Sequence, residues 1–153
     1  MVEEKEKAWK TVSSKYLFRR PWLTVRCEDM LLPNGNHIPE YYILEYPDWV
    51  NTIAITKDGK FVFVRQYRPG LGRTSYELCA GVCDKEDASP LVSAQRELWE
   101  ETGIRATPQH FIRMHQWVAP DNTPFLRFLF AIELSDLCAT EPHDSDIDRC
   151  LWL

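Results

Sequence analysis

Three carboxylates and one guanidinium stand together at Arg96, Glu97, Glu100 and Glu101. On a helix, positions i, i+3 and i+4 share one face, so this spacing gathers the three glutamates along a single strip. Like charges so placed cost roughly 0.2 to 0.5 kcal/mol per pair. Acids close to a helix C-terminus meet the negative end of the macrodipole for about 0.3 to 1 kcal/mol more. A solvated acidic face with Arg96 as counterion would account for a lone Glu-Glu pair. Three carboxylates within one turn are better explained by a hard divalent cation, which takes several oxygen ligands and turns the repulsion into binding energy.

Other residues suit the same chemistry. Arg65, Arg68 and Arg73 are candidate clamps for a diphosphate, because a planar guanidinium makes bidentate, permanently charged contacts. Trp49, with Tyr42 and Tyr46, offers rings on which a base can stack. Near the end of the chain, Glu141, His143, Asp144 and Asp146 are four candidates for a general base, and sequence alone does not rank them.

The elements that must carry these groups can be read locally. A helix is expected over about Pro90 to Thr102, with Ser89 as its cap, Pro90 in its first turn and Gly103 supplying a left-handed terminus. Leu91, Ala94 and Leu98 then form its buried face. Upstream, Lys15 to Ile55 reads as a meander of short strands. Leu23–Leu32 pairs with Ile38–Tyr46 across Pro33-Asn34-Gly35-Asn36, and Val50–Thr56 pairs with Phe61–Tyr67 across Lys57-Asp58-Gly59-Lys60. Pro69 to Arg73 reads as loop, Ser75 to Leu78 as a short strand and Gly81 to Ala88 as an acidic loop. Phe111–Trp117 and Phe125–Leu134 read as strands separated by a Pro-rich turn, and another strand starts near Asp148.

The 153 residues suit one domain, and 44% hydrophobic content excludes global disorder. A net charge of -5 argues against binding nucleic acid through the overall field, so a phosphate-bearing ligand must be held by local cations. Five scattered cysteines, none in Cys-x-x-Cys spacing, read as reduced and mostly buried thiols. No apolar run approaches the roughly 20 residues needed to span a bilayer, and a cytoplasmic location is expected.

Gly81 followed by Arg96-Glu97-Leu98-Trp99-Glu100-Glu101-Thr102-Gly103-Ile104 resembles the Nudix hydrolase signature, whose tail is Arg-Glu-aliphatic-any-Glu-Glu-any-Gly-aliphatic. The upstream half departs from that pattern: Gly81 and Arg96 lie one residue further apart than usual, and the loop acid is Glu86 or Asp87. The resemblance implies a Nudix-type α/β/α sandwich with a mixed sheet, residues 1–153 as one domain, and residues 1–48 as an N-terminal antiparallel strand extension. It also implies Mg²⁺, with Mn²⁺ as a substitute, held mainly by Glu97 and Glu101, with Glu100 as a further ligand or base, the carbonyl of Ala80 as a backbone ligand and Arg96 orienting the carboxylates. Such a cation acidifies water and neutralises charge gathering on a leaving phosphate.

Two branches of that family are suggested. Residues 9–95, with Val64-Arg65-Gln66-Tyr67-Arg68 and Glu77-Leu78-Cys79-Ala80-Gly81, resemble ADP-ribose and nucleoside-diphosphate-sugar pyrophosphatases, which implies a homodimer formed through Lys15–Tyr46. Residues 96–153, with Gln109-His110-Phe111-Ile112-Arg113-Met114-His115-Gln116-Trp117 and the run Pro142 to Asp148, resemble small bacterial Nudix phosphatases of nucleotides and thiamine-type pyrophosphates. The two resemblances meet within the signature helix, which leaves a natural sequence and a mosaic both open. The chain stops at Leu151-Trp152-Leu153, where family members continue into a terminal helix, so that helix is expected to be absent. A Mg²⁺-dependent hydrolase of a small-molecule nucleoside diphosphate derivative is expected, against a silent nucleotide-binding module.

Overall fold

A computed structural model describes residues 7–21, 23–118, 123–134 and 142–153. The chain divides into two compact units, Met1–Tyr46 with Val118–Phe125, and Pro47–Trp117 with Leu126–Leu153. The first unit is an antiparallel sheet of β1 (Lys10–Arg20), β2 (Leu23–Leu31) and β3 (His37–Glu45), in that order. The Asn-Gly turn forms as its composition requires: Gly35 adopts φ 86°, its N–H donates to Leu32, and Leu32 N–H donates to Asn36. Strand β1 starts earlier than the Lys15 expected. Every residue of it is exposed, and one of its edges has no partner strand among the described residues.

The second unit contains two sheets. One has the order β10-β5-β6, with β5 over Val62–Arg68, β6 over Arg73–Glu77 and β10 over Ile147–Trp152. In the other, β7 (Cys79–Val82), β4 (Trp49–Thr56), β9 (Leu126–Leu134) and β8 (Phe111–Val118) lie in that order. The sheet is mixed: β4 runs antiparallel to β7 and parallel to β9.

The second expected hairpin does not form. Strands β4 and β5 touch at a single bridge, Ile55 to Phe61, and then part into different sheets. A strand has two edges; β9 takes one along the whole of β4, and β7 takes the Trp49–Thr52 half of the other, which leaves β5 only the Ile55 bridge. Parting also lets Ala54 and Val62 face a shared core with Cys79, Leu98, Ile104, Ile132 and Leu134. The expected Gly81–Ala88 loop likewise begins two residues late, because Gly81 and Val82 complete β7.

The helix α1 spans Pro90–Thr102, the bounds its terminal residues predict. Ser89 Oγ accepts from Val92 N–H at 3.4 Å, and Gly103, at φ 69°, donates its N–H to the Trp99 carbonyl at 2.8 Å. Ala94 and Leu98 are fully buried and Leu91 partly so. Burying that stripe fixes the rotation of the helix, which presents Glu97 and Glu101 beside β7.

Candidate active site

The helix delivers two of its three glutamates into buried positions: Glu97 is 8% exposed and Glu101 5%. Glu101 Oε2 accepts the Ala80 N–H at 2.9 Å, tying the last turn of α1 to β7. Glu97 lies so close to Gly81 that a Cβ added there would sit 2.0 Å from its carboxyl carbon. The absent side chain of Gly81 is therefore the space in which the Glu97 carboxylate lies.

Arg96 binds most of the acidic groups around it. Its Nη1 donates to Glu97 Oε1 and to Glu100 Oε2, both at 2.8 Å. Nη2 donates to the Val82 carbonyl at 2.8 Å, and Nε and Nη2 both reach Asp87 Oδ2. Burial works against this charge, but Asp87, Glu97 and Glu100 outweigh it and raise the guanidinium above its usual range. Of the two loop acids left open by sequence, Asp87 holds Arg96, while Glu86 is exposed.

A third carboxylate comes from the loop before β10. Oxygens of Glu97, Glu101 and Asp144 lie within 4.8 Å of one another. Of the four candidates near the end of the chain, Asp144 joins the cluster, Asp146 accepts from Gln66 Nε2, His143 stacks on Trp99, and Glu141 lies outside the described residues. Burial is the main cause that raises Glu97 and Glu101 to about 7. Asp144 is raised by burial and by Asp146 and Glu100. Oxygen donors only, mutually repelling, two of them buried and the third half-buried, match what a hard divalent cation requires.

The remaining expected residues are distributed unevenly. Arg68 shares the face of β5 that carries Val64 and Gln66; its fork is engaged by Glu77 at 2.9 and 2.6 Å, and Glu101 and Asp146 add to the field that raises it. Arg65 projects from the opposite face and pairs with Asp148. Exposed Arg73 lies opposite Arg68 in the β5–β6 register. Trp49 is half-buried at the start of β4, in register with Val82, and Tyr42 and Tyr46 belong to the first unit. Glu100 turns its carboxylate to Arg96, outside the cluster of three.

Residues 46–153 match the family model described as NUDIX domain. The chain belongs to the Nudix family. Residues 9–44 match the model described as nucleoside diphosphate sugar hydrolase N-terminal domain. Phosphatase NudJ of Escherichia coli (strain K12) and Phosphatase NudJ of Shigella flexneri are each 57% identical over 100 residues, 65% of this chain and 63% of theirs. The match thus spans less than two thirds of those relatives' length. A solved structure described as an ADP compounds hydrolase superposes with TM-score 0.68 at 18% identity, covering 95% of this Nudix chain and 76% of its own. At that identity the likeness establishes the fold. Three features here were not expected from the Nudix signature: Asp144 as the third acid, the Trp99–His143 stack, and the Cys79 and Cys150 thiols, the second donating to the Glu101 carbonyl at 3.1 Å.

Proposed function

We propose that this Nudix protein hydrolyses the pyrophosphate linkage of a nucleoside diphosphate derivative such as ADP-ribose or another nucleotide sugar, with Glu97, Glu101 and Asp144 holding Mg²⁺ or Mn²⁺. The observation that carries this reading is the approach of those three carboxylates, two buried and one half-buried, to within 4.8 Å, an arrangement a folded protein has little reason to maintain for stability. Bound there, a divalent cation supplies Lewis acidity toward the phosphoryl oxygens. Arg96 keeps Glu97 in place, Gly81 leaves it room, and the Ala80 N–H fixes Glu101. Arg68 turns part of its fork from Glu77 to nonbridging oxygens of the diphosphate, and its position on the site face of β5 favours it over Arg65.

The match of residues 9–44 to the nucleoside diphosphate sugar hydrolase N-terminal domain supports the sugar-nucleotide choice. A homodimer formed through the first unit is supported by β1, which leaves an edge and apolar residues such as Val12, Leu17 and Phe18 exposed. A second reading, a phosphatase of nucleotides or thiamine-type pyrophosphates, is favoured by the 57% identity to Phosphatase NudJ. A substrate panel with Mg²⁺ separates the two: release of a nucleoside monophosphate supports the first, and release of inorganic phosphate the second. No turnover of any member, in a protein that binds Mn²⁺, would refute both in favour of a silent binding module.

A further inference from the structure

Asp144 reaches the cluster against its own electrostatics. Its carboxylate faces Glu97, Glu100 and Asp146, and among the groups packed around it Arg96 is the cation whose field favours its charge. Something other than charge must therefore hold the loop that carries it. Two backbone contacts do part of this: the N–H groups of His143 and Asp144 both donate to the Glu100 carbonyl, at 2.6 and 3.0 Å. That carbonyl lies in the last turn of α1, where carbonyl groups lack helical partners, so the loop caps the helix that supplies the other two acids. Beyond Asp144, the anchors are Gln66 on Asp146 and the buried Ile147. On the near side of Asp144, the side-chain anchor is the His143 ring, stacked on Trp99 with centroids 4.4 Å apart and planes 25° from parallel. Arg105 also lies over the Trp99 ring, at 5.1 Å. Trp99 occupies the position that the Arg-Glu-aliphatic-any-Glu-Glu pattern leaves open.

We infer that Trp99 and His143 are positioning residues: their stacked rings lock the Pro142–Asp146 loop against α1 and so place Asp144 beside Glu97 and Glu101. The inference rests on the reading of those three acids as cation ligands. Neither ring touches the reacting groups; each acts through Asp144. His143 is exposed, so its replacement leaves the core intact.

The test combines His143→Ala, His143→Phe, Trp99→Leu, Asp144→Asn and the double variant His143→Ala/Asp144→Asn in the full chain. Mn²⁺ affinity is read by electron paramagnetic resonance of the free ion, and amide hydrogen exchange at residues 143 and 144 is read without metal. His143→Ala and Trp99→Leu should each weaken Mn²⁺ binding about tenfold, the lower end for groups that orient a ligand. Both should also accelerate exchange of the two amides. His143→Phe, which keeps a flat ring, should restore both readings. In the Asp144→Asn background His143→Ala should have no further effect on affinity. Unchanged affinity and exchange in His143→Ala, with affinity lost in Asp144→Asn, would overturn the positioning role and leave the proposed cation site standing. A loss that adds in full to that of Asp144→Asn would also overturn it. Full Mn²⁺ affinity in Asp144→Asn would overturn the three-acid site and this inference together.

Discussion

Replacing Gly81 by alanine tests whether the signature glycine serves the backbone or the carboxylate. The backbone of Gly81 lies within β7 and is not in the left-handed region, so alanine meets no conformational barrier there. What it meets is Glu97: the new methyl would stand 2.0 Å from the carboxyl carbon and 2.1 Å from both oxygens. Ordinary contact begins at 3.4 Å, so the carboxylate must move by about 1.4 Å, the difference between 3.4 and 2.0 Å. Ligand distances in a cation site tolerate roughly 0.2 Å, so a displacement of this size removes Glu97 from the set. The movement also breaks its contact with Arg96, a charged hydrogen bond worth about 1.5 to 3 kcal/mol. Against that loss, alanine reduces the entropy of the unfolded chain by about 0.4 to 1 kcal/mol. Net destabilisation should be about 1 to 2 kcal/mol, a fall in Tm of roughly 2 to 8 °C. Mg²⁺-dependent turnover should fall about a hundredfold or more, approaching that of Glu97→Gln. Differential scanning calorimetry with an assay of nucleoside monophosphate release reads both quantities. Full turnover in a folded Gly81→Ala protein would refute the claim that the missing Cβ is what seats Glu97.

Three other outcomes follow from the geometry. Burial holds Glu97 and Glu101 near 7 rather than 4.5, so the metal-free native state binds more protons than the unfolded chain between those values. The stability these groups give is complete below 4.5 and is lost as pH rises through 7. Urea unfolding at about pH 5 and about pH 8 should show a loss of roughly 1 to 3 kcal/mol without Mg²⁺. Adding Mg²⁺ should reverse it, and Glu101→Gln, measured alongside, should flatten the slope. Arg68→Ala should lower kcat/KM about tenfold, roughly 1.4 kcal/mol, with partial rescue by lysine; unchanged kcat/KM on ADP-ribose and on thiamine pyrophosphate would make Arg68 only the partner of Glu77. Light scattering at micromolar protein should give twice the chain mass, and substitution of Leu17 and Phe18 by serine should give the monomer.

Where sequence and fold agree, the determinants are local. Ser89, Pro90 and Gly103 each act within one turn, so the bounds of α1 are written into the chain, and the 97, 101 spacing brings two of the three helix acids together, whereas Glu100 turns to Arg96. The second hairpin fails because strand pairing is decided by competition: Lys57 to Lys60 can turn the chain, but nothing local reveals that β9 claims one edge of β4 and β7 the Trp49–Thr52 half of the other. Asp144 and Asp146 are alike in sequence and differ only in what meets them, Glu97 and Glu101 for one and Gln66 for the other. The division between Arg65 and Arg68 is legible in the sequence, because three residues apart on a strand means opposite faces.

Neutral groups, more than charges, hold the acids in register. Glu101 is fixed by an amide N–H and lies beside the buried Cys79 thiol, and Glu97 by the space at Gly81 together with part of one guanidinium. A second full cation in place of these groups would satisfy the carboxylates and leave little affinity for a metal. Arg96 divides its donors among Asp87, Glu97, Glu100 and the Val82 carbonyl, so its charge is shared and the cluster stays under-neutralised. Part of the burial of Leu98 and Ala94, and of the capping at Ser89 and Gly103, therefore offsets repulsion among the acids. Stability built far from the site keeps Glu97 and Glu101 close enough for the proposed divalent ion to bind them.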